Sequence, residues 1–332
     1  MKSWDYCSSL LRARENKIID FNYLNRLTDA PFPDGFIKLL KDTPYENYFE
    51  TNNIIDYENI LEKVMNDLYI EINNIIPDST IIDNFYFQYD INNIKLILKS
   101  KLFGTEVNWE LLSDYGKFEP EDIFSIIEEK LYFKLPERIT ESINYAEEQF
   151  YKLRNPQVID FIIDSGFYNY IIESFNKNKI YEKILSFLRK TIDLENIKNI
   201  IRAKRLGIEK VIFNFIILND GNISSDYFSE LYNLNFTNII DEIIKLPIGE
   251  KLKNGIDNII NEKGFSEFEK ELDELILDEL RNFKYITVGP EVIYEFIILK
   301  KLEIKNLKIL FIGKLNSLKT EVIKSRFREV KI

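Results

Sequence analysis

The chain has 332 residues, of which 45% are hydrophobic and 30% charged, a balance typical of a folded protein and not of a disordered chain. The 44 lysines and arginines against 55 acids give a formal net charge of −11, which argues against nucleic-acid binding and favours a protein partner. The single cysteine excludes an internal disulfide, and the absence of histidine excludes Ser–His and Cys–His catalytic pairs and His-ligated zinc.

The N-terminal sequence, MKSWDYCSSLLRARENK, lacks the continuous apolar core of a secretory signal. The longest apolar runs, such as the one at 211–218, are far shorter than the ~20 residues of a membrane-spanning helix. With one cysteine and no such segment, we expect a cytoplasmic protein.

From the N-terminus onward, the apolar residues recur mostly at helical spacing. Only FYFQY at 85–89 and YITV at 285–288 alternate in the way strands do. Proline and glycine predict helix breaks at 29–35, 134–138, 154–157 and 245–250. The sequence therefore predicts an all-α fold.

Residues 265–283, FSEFEKELDELILDELRNF, place their apolar side chains on one stripe and predict an amphipathic helix. Ser266 and Glu269 have the spacing of a capping box at its start. Gly289-Pro290 predicts the end of one element and the first turn of the next, because proline suits the first helical position.

One helical segment occurs more than once in the sequence. DINNIKLILKSKLFG at 90–104 and DLENIKNIIRAKRLG at 193–207 are identical at 7 of 15 positions. A third, weaker copy begins at Glu303 and keeps Asn306, Lys308 and Lys314 as identities. Ile312 replaces the basic residue of the first two copies.

The copies are offset by 103 and 110 residues, which is too long for a solenoid repeat and fits domains of ordinary size. Glycine turns follow the first two copies, at Gly116 and Gly221, with Glu119 and Ser224 or Ser225 as candidate helix caps. We predict three helical repeat domains, at residues 1–105, 106–208 and 209–332.

Much of the repeat follows the general rules of helix ends. The opening acid suits the positive end of a helix dipole, the basic residues suit its negative end, and a glycine suits a left-handed cap. The asparagines fit this less well, because asparagine is a poor helix former. Two interpretations stay open: a buried amide that bonds a neighbouring turn, or a contact with a partner. The candidates for partner contact or repeat support are Asn93, Lys101, Asn196, Arg202, Lys204, Asn306 and Lys314.

No catalytic constellation is found in the sequence. The pairs Glu128-Glu129 and Glu147-Glu148 point about 100° apart on a helix and indicate a solvated face. No phosphate-binding glycine loop occurs, and Gly313-Lys314 lacks the upstream glycine of a P-loop. We expect no metal, no cofactor and no catalytic residue.

Three segments in order resemble the C subunit of bacterial and archaeal V/A-type ATPases, whose eukaryotic counterpart is the d subunit of the V-ATPase. They are SSLLRARENKIIDFNYLNRLTDAPF near the N-terminus, DLENIKNIIRAKRLG, and GPEVIYEFIILKKLEIKNLKILFIGKLNSL with the closing SRFREV. The resemblance covers essentially the whole chain.

The resemblance implies a funnel of three similar helical domains in pseudo-threefold arrangement. Such a protein would be a monomer within a hetero-oligomeric complex, peripheral on the cytoplasmic face of the membrane. It would sit on the proteolipid ring, receive the lower end of the central shaft, and pass torque between them for proton or sodium transport without binding ATP. The alternative is a stand-alone helical scaffold for soluble protein partners, and an enzyme is a third option.

Overall fold

The computed structural model describes residues 2–50 and 53–328. Its α-helices within those residues are α1 Trp4–Glu15, α2 Phe21–Asp29, α3 Asp34–Leu40, α4 Tyr57–Ile75, α5 Thr80–Phe103, α6 Pro120–Glu128, α7 Glu137–Leu153, α8 Gln157–Asn176, α9 Glu182–Arg205, α10 Lys210–Ile216, α11 Ser225–Leu231, α12 Phe236–Lys245, α13 Lys253–Ile260, α14 Ser266–Leu280, α15 Pro290–Leu315 and α16 Thr320–Ser325.

The all-α prediction is confirmed, since the structure is 74% helical and has no strand in the residues it describes. Both strand candidates are wrong. Residues 85–89 lie inside α5, because the apolar spacing continues at helical steps through Ile91 and Ile94. Residues 285–288 form turns and bends ahead of α15, and the Tyr285 side chain is 88% exposed.

The predicted breaks separate helices as expected. The break at 29–35 lies between α2 and α3, and the break at 154–157 lies between α7 and α8. Pro290 is the first residue of α15, and Gly289 before it has φ +149°, a backbone conformation that glycine adopts readily. Proline and glycine thus set the helix boundaries that the sequence predicted.

The predicted capping box at α14 is wrong. Ser266 is already the first helical residue, Phe265 holds the cap position, and no side chain at that position bonds the free amides. Ser224 does cap α11, with its hydroxyl accepting from the Asp226 N–H. Glu119 holds the cap position of α6 without a side-chain hydrogen bond.

The chain divides into two compact units. Unit 1 contains the residues up to Ser79 together with those from Asn254 onward, and unit 2 contains Thr80–Lys253. The repeat-domain boundaries at 105 and 208 remain a prediction.

Unit 1 is organised around α15. Phe311 is fully buried and stacks on Phe49 and Tyr57 with ring centroids 4.9 and 5.0 Å apart, while Phe36 meets it edge-on at 5.2 Å. Aromatic contacts of this kind add to the burial of apolar area. Segments from the N-terminal part of the chain therefore pack directly on its last long helix.

Unit 2 has a core among α5, α6, α7 and α8. Its members are buried aliphatic and aromatic residues, which include Phe87, Ile94, Ile127, Ile143 and Ile163. This packing fixes α5 against the short helix α6, and the polar contacts described next lie along that junction.

Candidate functional site

The three sequence copies lie on the three long helices α5, α9 and α15. Each copy ends at the same backbone turn, with positive φ at Gly104 (+64°), Gly207 (+66°) and Ser317 (+52°). Ser317 stands at the position that glycine holds in the other copies. The third copy is therefore preserved in backbone conformation where its sequence differs.

The hydrogen bonds at these turns also match. The N–H one residue past each turn donates to the carbonyl five residues earlier, as in Thr105 to Ser100, Ile208 to Ala203 and Leu318 to Gly313, each at 2.9 Å. This is the pattern of a Schellman motif, which satisfies carbonyls at a helix end. The predicted left-handed cap is confirmed in the first two copies.

The repeated asparagines are buried and bond a loop backbone. Each side-chain amide donates to the carbonyl, and accepts from the N–H, of one residue further along the chain. The pairs are Asn93 with Ser113 at 2.8 and 2.9 Å, Asn196 with Leu218 at 2.9 and 2.8 Å, and Asn306 with Arg328 at 2.9 Å for both bonds. The asparagines are at most 1% exposed. These bonds satisfy the backbone N–H and C=O of the loop residue. Both groups would otherwise lack a hydrogen-bond partner where the loop crosses the buried face of the helix.

The opening acid of each copy accepts from the backbone just before a short helix. Asp90 accepts from the Phe118 N–H at 3.2 Å, Asp193 from Ile223 at 2.9 Å, and Glu303 from Ile19 at 2.8 Å. Each donor lies two residues ahead of its helix, which is α6, α11 or α2.

The helix-dipole interpretation of these acids is wrong. They lie about three turns inside their long helices, where the dipole of the helix terminus has little effect. Asp90 and Asp193 instead accept from backbone N–H groups of a neighbouring segment. Glu303 accepts from the Ile19 N–H and also pairs with Lys300, three residues earlier on α15, at 2.5 Å.

Glycine makes room for two of the acids. A Cβ on Gly116 would lie 1.9 Å from Asp90 Oδ1, and a Cβ on Gly221 would lie 2.4 Å from Asp193 Oδ1. The turn glycines noted in the sequence therefore allow the close approach of loop and carboxylate.

The repeated lysines bind the other end of the same short helices. Lys101 donates to the Ile127 carbonyl at the end of α6, Lys204 to Tyr232 after α11 at 2.9 Å, and Lys314 to Ala30 after α2 at 2.8 Å. An ammonium group there pairs with the free carbonyls and the negative end of the dipole.

We call each acid–amide–lysine set, with the backbone it binds, a polar clamp. Clamp 1 has Asp90, Asn93 and Lys101; clamp 2 has Asp193, Asn196 and Lys204; clamp 3 has Glu303, Asn306 and Lys314. Spacings of three and eleven residues put all three side chains on one side of a helix, spread over about 16 Å. Each clamp thus holds both ends of a short helix against a long one.

Arg202 is the sequence candidate that lies outside the clamps, and its side chain on α9 is exposed. The clamp acids are not among the candidate residues, although each opens a copy of the repeat. The sequence signal that could have identified them is the glycine that follows 26 residues after Asp90 and 28 after Asp193.

Three of the four paired acids are solvated, as predicted, since Glu128, Glu129 and Glu148 are exposed. Glu147 is not solvated, because its carboxylate accepts from the Tyr132 hydroxyl at 2.8 Å and its side chain is only 12% exposed.

Burial shapes the electrostatics of the clamps. It raises the pKa of the Asp90 carboxyl to about 6, and the N–H groups of Lys117 and Phe118 offset part of that rise. Burial also raises the pKa of Asp193, opposed by bonds from Ile223 and Asn222, and lowers the pKa of Lys314. The Asp90 carboxylate is held by two backbone N–H groups, and the Asp193 carboxylate by the Ile223 N–H and the Asn222 side-chain amide.

Within residues 2–50 and 53–328, no cluster of three or more Cys, Asp or Glu side chains has the geometry to hold a metal ion. Among the helices in that part of the chain, none combines the length and the apolar character needed to span a bilayer.

The sequence profile of one family, described as ATP synthase (C/AC39) subunit, matches residues 7–326. The chain belongs to this family. The match runs through both units and nearly all of the three clamps, and it confirms the resemblance to the C subunit of V/A-type ATPases. Of the closing SRFREV segment, residues 329 and 330 lie outside the described residues.

Relatives with assigned names agree with the family. The chain is 27% identical to the C subunit of the A-type ATP synthase of Methanocaldococcus jannaschii, over 96% of this chain and 85% of that protein. It is 24% identical to the C subunit of the V-type sodium ATPase of Enterococcus hirae, over 97% of both. It is 23% identical to the C subunit of the A-type ATP synthase of Methanococcoides burtonii, over 98% of this chain and 94% of that protein.

The glycine contact predicts unequal effects of two alanine substitutions. Gly116→Ala should lower the free energy of unfolding by about 2–4 kcal/mol, because the new Cβ displaces Asp90 from its loop. Gly104→Ala is the matched control: nothing lies within 4 Å of its Cβ, so only the left-handed backbone is strained, at about 1 kcal/mol. Urea unfolding measures both, and equal losses would contradict the steric role of Gly116.

The raised pKa of Asp90 predicts a pH effect. Between about pH 4 and its folded pKa of about 6, folded Asp90 binds a proton that the unfolded chain has released. Its contribution therefore makes the free energy of unfolding fall as pH rises through this window, by about 2–3 kcal/mol in all.

Asp90→Asn tests this assignment, because it cannot titrate. The variant should be less stable at pH 7 by about 1–3 kcal/mol, since an amide nitrogen would face a backbone N–H, and its stability should vary less between pH 4 and 6. Urea unfolding at pH 4.5 and 7 compares the two proteins, and other acids affect both alike. An unchanged pH dependence in the variant would show that Asp90 does not titrate in this range.

Proposed function

We propose that this chain is the non-catalytic central-stalk socket of a rotary V/A-type ATPase. In this role it couples the rotating shaft to the membrane proteolipid ring for proton or sodium transport. The proposal rests on one combined observation, the presence of three polar clamps in a chain that matches the C/AC39 family over residues 7–326.

A torque-transmitting protein has to resist shear between its helices. Each clamp ties the start and the end of a short helix to one long helix. A slide of one residue moves a helix by about 1.5 Å, which exceeds the tolerance of a hydrogen bond. The clamps therefore make each helix pair behave as one body under tangential load.

The proposal also covers how the domains are arranged and where the chain lies in the complex. In this proposal its three repeat domains form a pseudo-threefold funnel around the end of the shaft. The chain is a monomer within a hetero-oligomeric complex, peripheral on the cytoplasmic face of the membrane. The net charge of −11 supports protein partners over nucleic acid.

The candidate residues take different roles in this proposal. Asn93, Asn196 and Asn306, with Lys101, Lys204 and Lys314, support the wall of the socket through their bonds to loop and helix backbone. Arg202 is the candidate for contact with the shaft or the ring, because its side chain is exposed on α9.

Reconstitution with and without the chain tests the coupling role. ATP hydrolysis by the soluble motor should persist without the chain, while ion pumping into proteoliposomes should stop and return when the chain is added back. Purification with the ring is a second readout. Unchanged pumping without the chain would overturn the proposal, and binding to soluble proteins with no ring or shaft would favour the scaffold alternative.

Two sets of variants separate wall support from partner contact. Lys101→Met with Lys204→Met should lower the free energy of unfolding by about 2–3 kcal/mol, through two lost charged hydrogen bonds, and leave shaft and ring affinity within twofold. Arg202→Glu should change the free energy of unfolding by less than about 1 kcal/mol, as is usual at exposed positions, and weaken binding to shaft or ring about tenfold. Unfolding curves and binding titrations on the same preparations measure these effects. Unaltered binding by Arg202→Glu would remove Arg202 from the interface.

A further inference from the structure

Clamp 3 is built from the two ends of the chain. In clamps 1 and 2, one continuous segment follows the long helix and supplies the amide partner, the acid partner and the lysine partner, over 113–128 and 218–232. In clamp 3, the amide partner is Arg328 near the C-terminus, while the acid and lysine partners are Ile19 and Ala30 near the N-terminus.

The positions of the amide partner and the acid partner match residue by residue between clamps 1 and 2. Ser113 precedes Phe118 by five positions, and Leu218 precedes Ile223 by five positions. Arg328 and Ile19 make the same bonds to Asn306 and Glu303, with no short link between them in sequence. The N-terminal segment therefore completes the third repeat copy, in the place that a continuous loop holds in the other two.

Residues 17–30, which include α2, are bound to the C-terminal helices at both ends. The Ile19 N–H donates to Glu303 at 2.8 Å, Lys314 donates to the Ala30 carbonyl at 2.8 Å, and Lys324 pairs with Asp29 at 2.7 Å. On its other side, the Tyr23 hydroxyl donates to the Leu39 carbonyl at 2.7 Å, which ties the segment to α3.

We propose that residues 17–30 are a strap that releases from α15 as one unit while clamps 1 and 2 stay closed. In those clamps, four residues join the amide partner to the acid partner. If one of these two bonds breaks, the other still holds the short loop in place. The freed backbone group therefore stays at high effective concentration near its side-chain partner. Clamp 3 lacks this link between Arg328 and Ile19. The strap follows α1, which stays bound to α15 through the Arg12–Glu295 ion pair at 2.8 Å, so the strap moves between α1 at one end and α3, tied by the bond to Leu39, at the other.

In the open state of this proposal, α2 stays helical, while Leu24 and Leu27, at most 1% exposed in the closed state, leave the core of unit 1. Asp20 caps α2 from within the strap, accepting from the Tyr23 N–H at 2.7 Å, so the helix keeps its own start when it leaves α15. Native proteins open locally in cooperative segments, and hydrogen exchange measures the free energy of such openings.

Hydrogen exchange of the full-length chain tests the strap. The reporters are the three amides that donate to the clamp acids, Ile19, Phe118 and Ile223. In the unmodified protein, Ile19 should exchange at least about tenfold faster than the other two, because only its clamp is split. Equal protection at the three amides would overturn the proposal.

Lys314→Met, with Lys204→Met as matched control, tests whether the strap moves as one unit. Lys314→Met should speed exchange at Ile19 about five- to tenfold, although Lys314 bonds the opposite end of the strap at Ala30. Lys204→Met should speed exchange around Tyr232, leave Ile19 unchanged and alter Ile223 less than about twofold. Faster exchange confined to residues beside Ala30, or spread equally over all three clamps, would contradict release as a unit. If Lys314→Met does not fold, the comparison of the three amides in the unmodified protein still decides.

Discussion

A loop that crosses a buried helix face needs a partner for each backbone N–H and C=O, and in this chain one asparagine per long helix supplies both. The amide is the side chain suited to this task, because it presents a donor and an acceptor at the spacing of a peptide group. Asn93, Asn196 and Asn306 each bind a single loop residue in this way. The path of each bound loop, and hence the placement of the short helix in clamps 1 and 2, depends on that bond.

The acid and the lysine of each clamp act at opposite ends of a short helix and are electrically complementary to what they bind. The carboxylate meets backbone N–H groups and the ammonium meets carbonyls, so the two charges of a clamp need not touch each other. Burying a charge without such partners is unfavourable, and the raised pKa of Asp90 shows that two N–H bonds offset this only in part. Each clamp therefore defines one register of short helix on long helix, because a shift along the helix would break its hydrogen bonds.

The sequence was sufficient to predict the helical class, the breaks at proline and glycine, and the repeat. It also identified six of the nine clamp side chains, because recurrence at fixed spacing is visible without coordinates. The acids were misassigned because the true helix starts lie about three turns upstream, and no local signal separates an internal acid from an N-terminal one. The sequence at 85–89 indicates a strand because its aromatic residues stand two apart, which is the strand spacing. In α5 this spacing puts Phe85 and Phe87 on opposite sides of the helix, and both are buried because α5 is covered on more than one side.

The backbone partners of the clamps could not be predicted from the sequence, for a different reason. A side chain that bonds a main-chain group places no demand on the identity of its partner, so Ser113, Leu218 and Arg328 share no residue type. The loop residue can therefore differ from copy to copy while the asparagine recurs. In clamp 3 the partners also come from opposite ends of the chain. Aligning the sequence copies does not show that N-terminal residues complete the third one. The bonds of Glu303 and Lys314 to the N-terminal segment, together with the Lys324–Asp29 ion pair, show that the N-terminal segment completes the third copy.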